Sequence, residues 1–204
     1  MSSSIEALHR SPGRPRSVEA DRAIGEAIVN LLIERGYGEV TIEGVAARAG
    51  VAKTTIYRRW PTKALMVVES ICTAGKNCPV EAVCYDGSIR PVLIAHLQGL
   101  SSSRVTKIIA GLAVEMPHNA ELADAVREGL LKPNRAVITA ILEEGIASGQ
   151  LRPDIDLQLT ADLLVSPIFF RILVSGAPVG PELAAATVDS VLKGVLAPAV
   201  GGEV

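Results

Sequence analysis

The sequence is poor in the residue types on which disulfide-rich domains and many metal sites depend. Its 204 residues include three cysteines and three histidines, and 3% of them are aromatic. An odd number of cysteines without a C-x-x-C motif argues against a disulfide framework, so reduced thiols are expected. So few histidines leave no cluster with metal-ligand spacing. We therefore expect neither a metal nor another cofactor.

The cysteines leave one alternative open. They recur every six residues near an expected domain boundary, as Cys72, Cys78 and Cys84. This arrangement would suit a thiol sensor or, less well, a metal site, although no histidines accompany it.

Targeting and catalytic motifs are also missing. The first residues lack the apolar h-region of a secretion signal, and no later apolar run looks long and uninterrupted enough to span a bilayer. A cytoplasmic protein without a membrane partner is expected. There is no nucleophile elbow, no phosphate-binding glycine loop and no convincing acid–base pair. We therefore expect no enzyme activity and assign no catalytic residue.

Charge is distributed unevenly, although the formal net charge is only −2. Residues 1–63 contain ten lysines and arginines against seven acidic residues, a balance of +3, and the rest contains ten against fifteen, a balance of −5. A basic N-terminal part is typical of a protein that meets DNA with that part. With 49% hydrophobic residues, the chain can also bury a sizeable core.

Residues 41–65 have the pattern of two short helices joined by a tight turn. Thr41 stands at an N-cap position, and Gly50 follows where a side chain is disfavoured. Val51 and Ile56 supply the apolar contacts that hold the second helix across the first. One face of the first helix carries Ile42, Val45, Ala46 and Ala49.

The second helix is expected over about residues 53–60, closed by Pro61. Its polar positions carry hydroxyl groups, an aromatic ring and cations, which suit base edges and phosphates. We expect Thr54, Thr55 and Tyr57 to read bases. We expect phosphate contacts from the cations Lys53, Arg58, Arg59 and Lys63, although some of them could face away from DNA. The N-cap residue Thr41 belongs to the same DNA-binding set.

An ordinary helical hairpin could carry the same small and apolar residues, but the flanks are more specific. The segment closely resembles the DNA-binding segment of the tetracycline-repressor (TetR) family of bacterial regulators, whose T-I-Y-R-x-W/F-P-x-K core corresponds to residues 55–63. One departure is Ala64, where family members often have an acidic residue, so the capping box from Thr62 is incomplete. An amphipathic helix that runs to about Arg35 and stops at Gly36 completes the three-helix head.

Residues 1–16 contain serine, glycine and proline in place of periodic apolar residues and are expected to form a flexible arm. Residues 13–16 spell the glycine-arginine-proline core of AT-hook peptides, whose arginines enter the narrow minor groove of A·T-rich DNA. We expect Arg14 and Arg16 to contact DNA in this way; the alternative is a solubilising tail. A rival function is an architectural, A·T-preferring DNA-binding protein without an effector.

From residue 64 onward the pattern stays helical, so an all-α protein of about nine or ten helices is expected. We divide the chain into the arm (1–16), a helix-turn-helix DNA-binding domain (17–63) and a ligand-binding and dimerisation domain (64–204). Pro133 predicts separate or kinked helices over 121–131 and 134–148, because proline has no backbone donor. The final helices are expected over 157–174 and 181–196.

These final helices have more apolar surface than one subunit is expected to cover. Residues 149–178 also resemble the C-terminal segment of one TetR subgroup, and in this family the last two helices of each subunit form a four-helix dimer interface. The resemblance therefore implies a homodimer on a palindromic operator. It assigns to the interface Leu163, Phe169, Leu173, Val188, Leu192 and Val195.

The resemblance also implies a pocket for a small-molecule effector, which makes the expected function a ligand-released repressor. Low aromatic content argues against an aromatic cage and favours an aliphatic pocket for a small apolar or acyl-type molecule. The candidate lining residues are Cys72, His96, Ile108, Leu112, Met116, Leu164, Ile168 and Arg171.

Overall fold

The computed structural model describes residues 18–75, 87–101 and 103–196. Within these ranges the chain forms ten α-helices, which confirms the all-α prediction. The predicted basic arm with Arg14 and Arg16 lies outside the described residues, as do Cys78 and Cys84.

The first three helices form the N-terminal head. They are α1 (Val18–Arg35), α2 (Ile42–Ala49) and α3 (Lys53–Tyr57). Gly36 and Gly50 follow α1 and α2 with φ angles of 77° and 65°, a left-handed conformation that favours glycine. The Thr41 hydroxyl accepts a hydrogen bond from the backbone N–H of Gly44 and so caps α2. The predicted cap and turn residues are therefore confirmed.

The helix α3 is shorter than the predicted range of residues 53–60. Its regular part ends at Tyr57, and the chain continues through a turn in which the Trp60 N–H still donates to the Ile56 carbonyl over 3.0 Å. Pro61 prevents the helix from continuing past this turn, because its ring disfavours helical backbone at Trp60.

Seven further helices form the body of the molecule. They are α4 (Lys63–Gly75), α5 (Ile89–Leu100), α6 (Ser103–Glu115), α7 (Ala120–Val126), α8 (Lys132–Ala147), α9 (Leu157–Phe170) and α10 (Pro181–Val195). A 3-10 turn, Met116–His118, precedes α7, and π-helical turns, Arg127–Leu131 and Arg171–Ser175, follow α7 and α9.

The predicted break near Pro133 takes the form of the π-helical turn between α7 and α8. Pro133 has no N–H for the carbonyl of Gly129, four residues earlier. The thiol of Cys72 in α4 donates to that carbonyl instead, over 3.0 Å. Gly129 is also in tight contact with α4, since a Cβ there would overlap Val68 Cγ1. The irregular turn therefore lies directly against the helix that leads into the head.

Two hydrophobic cores hold the helices together. The first combines the head with α4, α6 and α7 and includes Ile28, Ile56 and Leu122. The second, which includes Leu142 and Leu164, is built by α5, α8, α9 and α10. The core of the head thus extends beyond the predicted domain boundary at residue 63.

Candidate DNA-binding surface

One buried side chain fixes the orientation of α3. Ile56 is fully buried in the first core, beside α2. Because an α-helix turns every 3.6 residues, burial of Ile56 directs its polar neighbours outward. The side chains of Lys53, Thr54, Tyr57 and Arg58 are exposed, and that of Thr55 is partly buried. An exposed patch of hydroxyl groups, one aromatic ring and cations therefore lies on the outer face of α3.

Lys53 already has a partner on the neighbouring helix. Its Nζ donates to Glu43 Oε1 over 2.8 Å, and both side chains are more than half exposed. This hydrogen bond holds the pKa of Glu43 below its usual value. An exposed ion pair contributes little to the free energy of folding. A DNA phosphate can therefore replace Glu43 as the partner of Lys53 at a small cost in free energy.

Arg59 is turned toward the head instead of solvent. Its guanidinium forms an ion pair with Asp21 of α1, and 18% of its side chain is exposed. This ion pair indicates that Arg59 holds α1 against the turn after α3. It argues against the predicted phosphate contact.

Lys63 also has intramolecular partners. Its Nζ donates to the carbonyl of Gly38 over 3.1 Å and lies over the ring of Tyr37. Burial lowers the pKa of Lys63, and burial together with nearby carboxylates raises the pKa of Tyr37. Sequence reasoning missed Tyr37, Gly38 and Asp21 because their partners are distant in the chain and local periodicity does not reveal them.

The start of α4 is tied to the turn after α3. The Thr62 hydroxyl accepts a hydrogen bond from the Leu65 N–H over 3.2 Å, and Trp60 Nε1 donates to Glu69 Oε2 over 2.7 Å. Ala64 is 1% exposed, so an acidic side chain in its place would be buried. The incomplete capping box therefore agrees with the packing. Any rotation of α4 would move the recognition region with it.

The structure divides the predicted apolar pocket residues between the two cores. Ile108 and Leu112 are buried in the first core, against which Cys72 and Met116 pack. The second core contains Leu164 and Ile168. His96 Nε2 bonds Asn134 Oδ1 over 2.8 Å, and Arg171 Nη1 donates to the Pro178 carbonyl over 2.7 Å. The apolar candidates are therefore core residues of the chain.

The predicted dimer residues are divided between the surface and the interior. Leu163 and Leu173 are about half exposed, whereas Val188 and Leu192 are 0% and 6% exposed in the second core. Val188 and Leu192 are thus removed from the outer surface by packing within the chain. Phe169 and Val195 are partly buried. An exposed apolar stripe runs along α9 and the π-helical turn that follows it. We call it the α9 stripe, and it consists of Leu159, Leu163, Phe170, Leu173 and Val174.

The region that carries the α9 stripe also has the composition of a membrane span. Residues 157–175, which comprise α9 and the following π-helical turn, are long and apolar enough by composition to match a membrane span. One such helix is weak evidence for a membrane, and an exposed stripe on a helix at a subunit interface has the same composition.

The described residues contain no group of three or more histidine, cysteine or acidic side chains that could hold a metal ion. The thiol of Cys72 is partly buried at the contact between α4 and the π-helical turn.

Comparison with family models agrees with the geometry over most of the chain. Residues 24–69 match the family described as "Bacterial regulatory proteins, tetR family", and residues 85–191 match "Tetracyclin repressor-like, C-terminal domain". The first match covers most of α1, all of α2 and α3, and the start of α4, and the second covers most of the body.

Similar proteins include two regulators and one solved structure. The HTH-type transcriptional regulator YdeS of Bacillus subtilis is 34% identical over 91% of this chain and 94% of its own length. The DNA-binding transcriptional repressor TetR of Mycobacteroides abscessus is 30% identical over 83% of this chain and 90% of its own. The crystal structure of the TetR family transcription regulator SCO0332 has a TM-score of 0.71 and 29% identity, covering 87% of this chain and 98% of that one.

Proposed function

This chain belongs to the TetR family of bacterial regulators, and from that premise we propose that it is a homodimeric repressor released from a palindromic operator by a small-molecule effector. A DNA-binding transcriptional regulator, and not an enzyme, is what the family establishes. The observation that carries the finer proposal is the exposed polar face of α3, combined with the α9 stripe on the body.

We assign direct DNA contacts to the exposed face of α3. Thr54, Thr55 and Tyr57 present hydroxyl groups and a ring for base edges, while Lys53 and Arg58 present cations for phosphates. Thr41, at the start of α2, is exposed and belongs to the same contact set. Because Arg59 and Lys63 have partners within the head, we assign them the role of positioning α3 and α4.

A second copy of the chain is the occupant that we propose for the α9 stripe. Leu159, Leu163 and Phe170 recur at helical spacing opposite the buried residues Ala161 and Leu164. One helix of five residues reads few bases, so two heads at half-sites one helical turn apart, or a multiple of it, would supply the missing specificity. The same apolar interface would cover the residues that resemble a membrane span, so we place the protein in the cytoplasm.

The effector would act through α4. This helix begins directly after the turn that follows α3, and it contacts the π-helical turn through Val68 and Cys72. A ligand weakens DNA binding only if it binds more tightly to the arrangement that does not fit DNA. By linkage, the operator must then weaken ligand binding by the same factor.

DNA selection tests the proposal. The purified chain is mixed with fragmented genomic DNA, the bound fragments are sequenced, and a recovered site is footprinted. We expect one protected palindrome occupied by two copies of the chain. Binding to A·T-rich DNA in general, without a protected palindrome, would support the architectural alternative instead.

A further inference from the structure

Gly129 lies closer to α4 than a residue with a side chain could. It belongs to the π-helical turn Arg127–Leu131, and a Cβ added to it would overlap Val68 Cγ1 of α4. Gly129 does not have the positive φ angle that favours glycine, so space and not backbone conformation requires this residue. Glycine within a helix is otherwise less favourable than alanine. The close packing of the turn on α4 therefore depends on glycine at this position.

A hydrogen bond reinforces the same contact. Pro133 has no N–H to donate to the Gly129 carbonyl, and the Cys72 thiol of α4 donates to this carbonyl over 3.0 Å. Val68 and Cys72 are four residues apart, so they lie on the same face of α4. Val68 is buried at this contact. One face of α4 is thus fixed against the body at two successive turns of the helix.

Glu69, the residue after Val68, holds the head. Its Oε2 accepts a hydrogen bond from Trp60 Nε1 over 2.7 Å. Neighbouring residues of an α-helix point about 100° apart, so the exposed Glu69 projects to one side of the face that packs on the turn. The contact with the body and the contact with the head are therefore one residue apart on the same rigid helix.

Trp60 continues the connection to α3. Its backbone N–H donates to the Ile56 carbonyl over 3.0 Å, and Ile56 is the buried residue that orients α3. The Arg59 guanidinium lies 5.9 Å from the centre of the Trp60 ring. A displacement of Glu69 would therefore reach the turn after α3.

We propose that Gly129 and Glu69 are positioning residues for DNA binding. The Gly129 contact fixes one section of α4, and Glu69 transmits this position to Trp60 and so to α3. The consequence for an operator rests on the proposed homodimer, in which the position of each head relative to its body sets the distance between the two copies of α3. Two half-sites require a defined distance, whereas one half-site does not. Binding to a palindrome should therefore depend on the Gly129 contact, and binding to one half-site should not.

Fluorescence of the full-length protein without DNA tests the link, because Trp60 is the only tryptophan in the sequence. Gly129→Ala should displace α4 from the turn, loosen the hold of Glu69 on Trp60 and increase the quenching of Trp60 by acrylamide. Gly111→Ala in α6 is the matched control, because a Cβ there meets nothing within 4 Å. Quenching in the control should equal that of the native protein.

A second substitution tests whether the overlap causes the effect. Val68→Ala removes Cγ1, the atom that the new Cβ would meet, so adding it to Gly129→Ala should restore most of the native quenching. A general loss of stability predicts the opposite result, because truncation of the buried Val68 removes further packing. Urea unfolding verifies that each variant is folded under the conditions of measurement.

The exposed Glu69 allows a substitution that leaves both cores intact. Glu69→Ala removes the acceptor of Trp60 Nε1 and should increase quenching, whereas Glu69→Gln keeps a side-chain oxygen and should remain close to the native protein. Adding Gly129→Ala to Glu69→Ala should change the quenching little further, because the link is already broken. Such non-additivity is the expected sign of two coupled positions.

DNA binding completes the test. Gly129→Ala and Glu69→Ala should each lower the affinity for the recovered palindrome about fivefold and leave the affinity for a duplex with one half-site within about twofold.

Four results would overturn the inference. They are native quenching in Gly129→Ala, an equal change in Gly111→Ala, no recovery on adding Val68→Ala, and equal losses of affinity for the palindrome and the half-site. If the native protein binds the palindrome no better than one half-site, the proposed homodimeric operator is contradicted, and the fluorescence results still decide whether Gly129 positions Trp60.

Discussion

Lys63 Nζ lies 4.2 Å from the centre of the Tyr37 ring, so the first residue of α4 is held against the loop that follows α1. The same Nζ donates to the carbonyl of Gly38. A cation over an aromatic face and a hydrogen bond to a carbonyl both require Lys63 to point into the head. This contact fixes where α4 begins relative to α3.

The contact makes Lys63→Ala a test of a positioning role. We expect the free energy of unfolding to fall by about 1–2 kcal/mol, the sum of one cation–π contact and one hydrogen bond. Urea unfolding measures this loss. The salt dependence of DNA binding should stay unchanged. A decrease of about one in the slope of log K against log salt would instead assign a phosphate contact to Lys63.

Replacement of Tyr57 tests direct readout by α3. Tyr57→Ala should cost about 1–3 kcal/mol of affinity for the recovered operator and much less for unrelated DNA, because one base contact is lost. Fluorescence anisotropy with labelled duplexes gives both values. Val114→Ala, at an exposed valine on α6, is the control. Unchanged operator affinity would remove Tyr57 from the binding surface.

A matched pair of leucines tests the dimer interface. Leu163→Glu adds a charge to the α9 stripe, and the mutant should be a folded monomer in sedimentation experiments. Leu192→Glu buries a charge in the second core and should unfold the body instead. A folded dimer of Leu163→Glu at micromolar concentration would exclude the α9 stripe as the interface.

Partly buried His96 predicts a pH dependence of stability. Burial lowers its pKa, more strongly than the hydrogen bond to Asn134 raises it. The imidazole of His96 therefore binds a proton near pH 6.5 in the unfolded chain but not in the folded chain. The free energy of unfolding then falls as the pH drops below this value, by at most about 1.4 kcal/mol per pH unit. Urea unfolding at pH 7.5 and 5.5 should show this loss in the native protein.

The loss should be smaller in His96→Gln and unchanged in His118→Gln, because His118 is exposed. An equal pH dependence in native protein and His96→Gln would show that other groups cause it.

The basic arm gives a prediction about DNA sequence. Replacement of Arg14 and Arg16 by alanine should lower affinity most for operators with A·T-rich flanks, where the narrow minor groove has the stronger negative potential. Competition binding with A·T-rich and G·C-rich flanks compares the two losses. Equal losses would leave the arm a nonspecific electrostatic role.

The cap and turn residues of the head could be predicted from the sequence, because they depend on local chemistry. Thr41 caps α2 and Gly50 adopts a left-handed conformation because a hydroxyl near free N–H groups and a residue without Cβ act on their immediate neighbours. The apolar period predicted helices throughout the body, and Pro133 predicted a break, since both depend on residues within one or two turns.

Only the tertiary structure decided which of the apolar and charged residues face outward. Leu163 and Leu192 are equally apolar in the sequence, yet one is exposed on α9 and the other is buried against α9 and its neighbours. Arg58 and Arg59 are adjacent cations, but it is Arg59 that forms the ion pair with Asp21 of α1. Periodicity identifies the face of a helix, whereas the partner of that face depends on how distant helices pack.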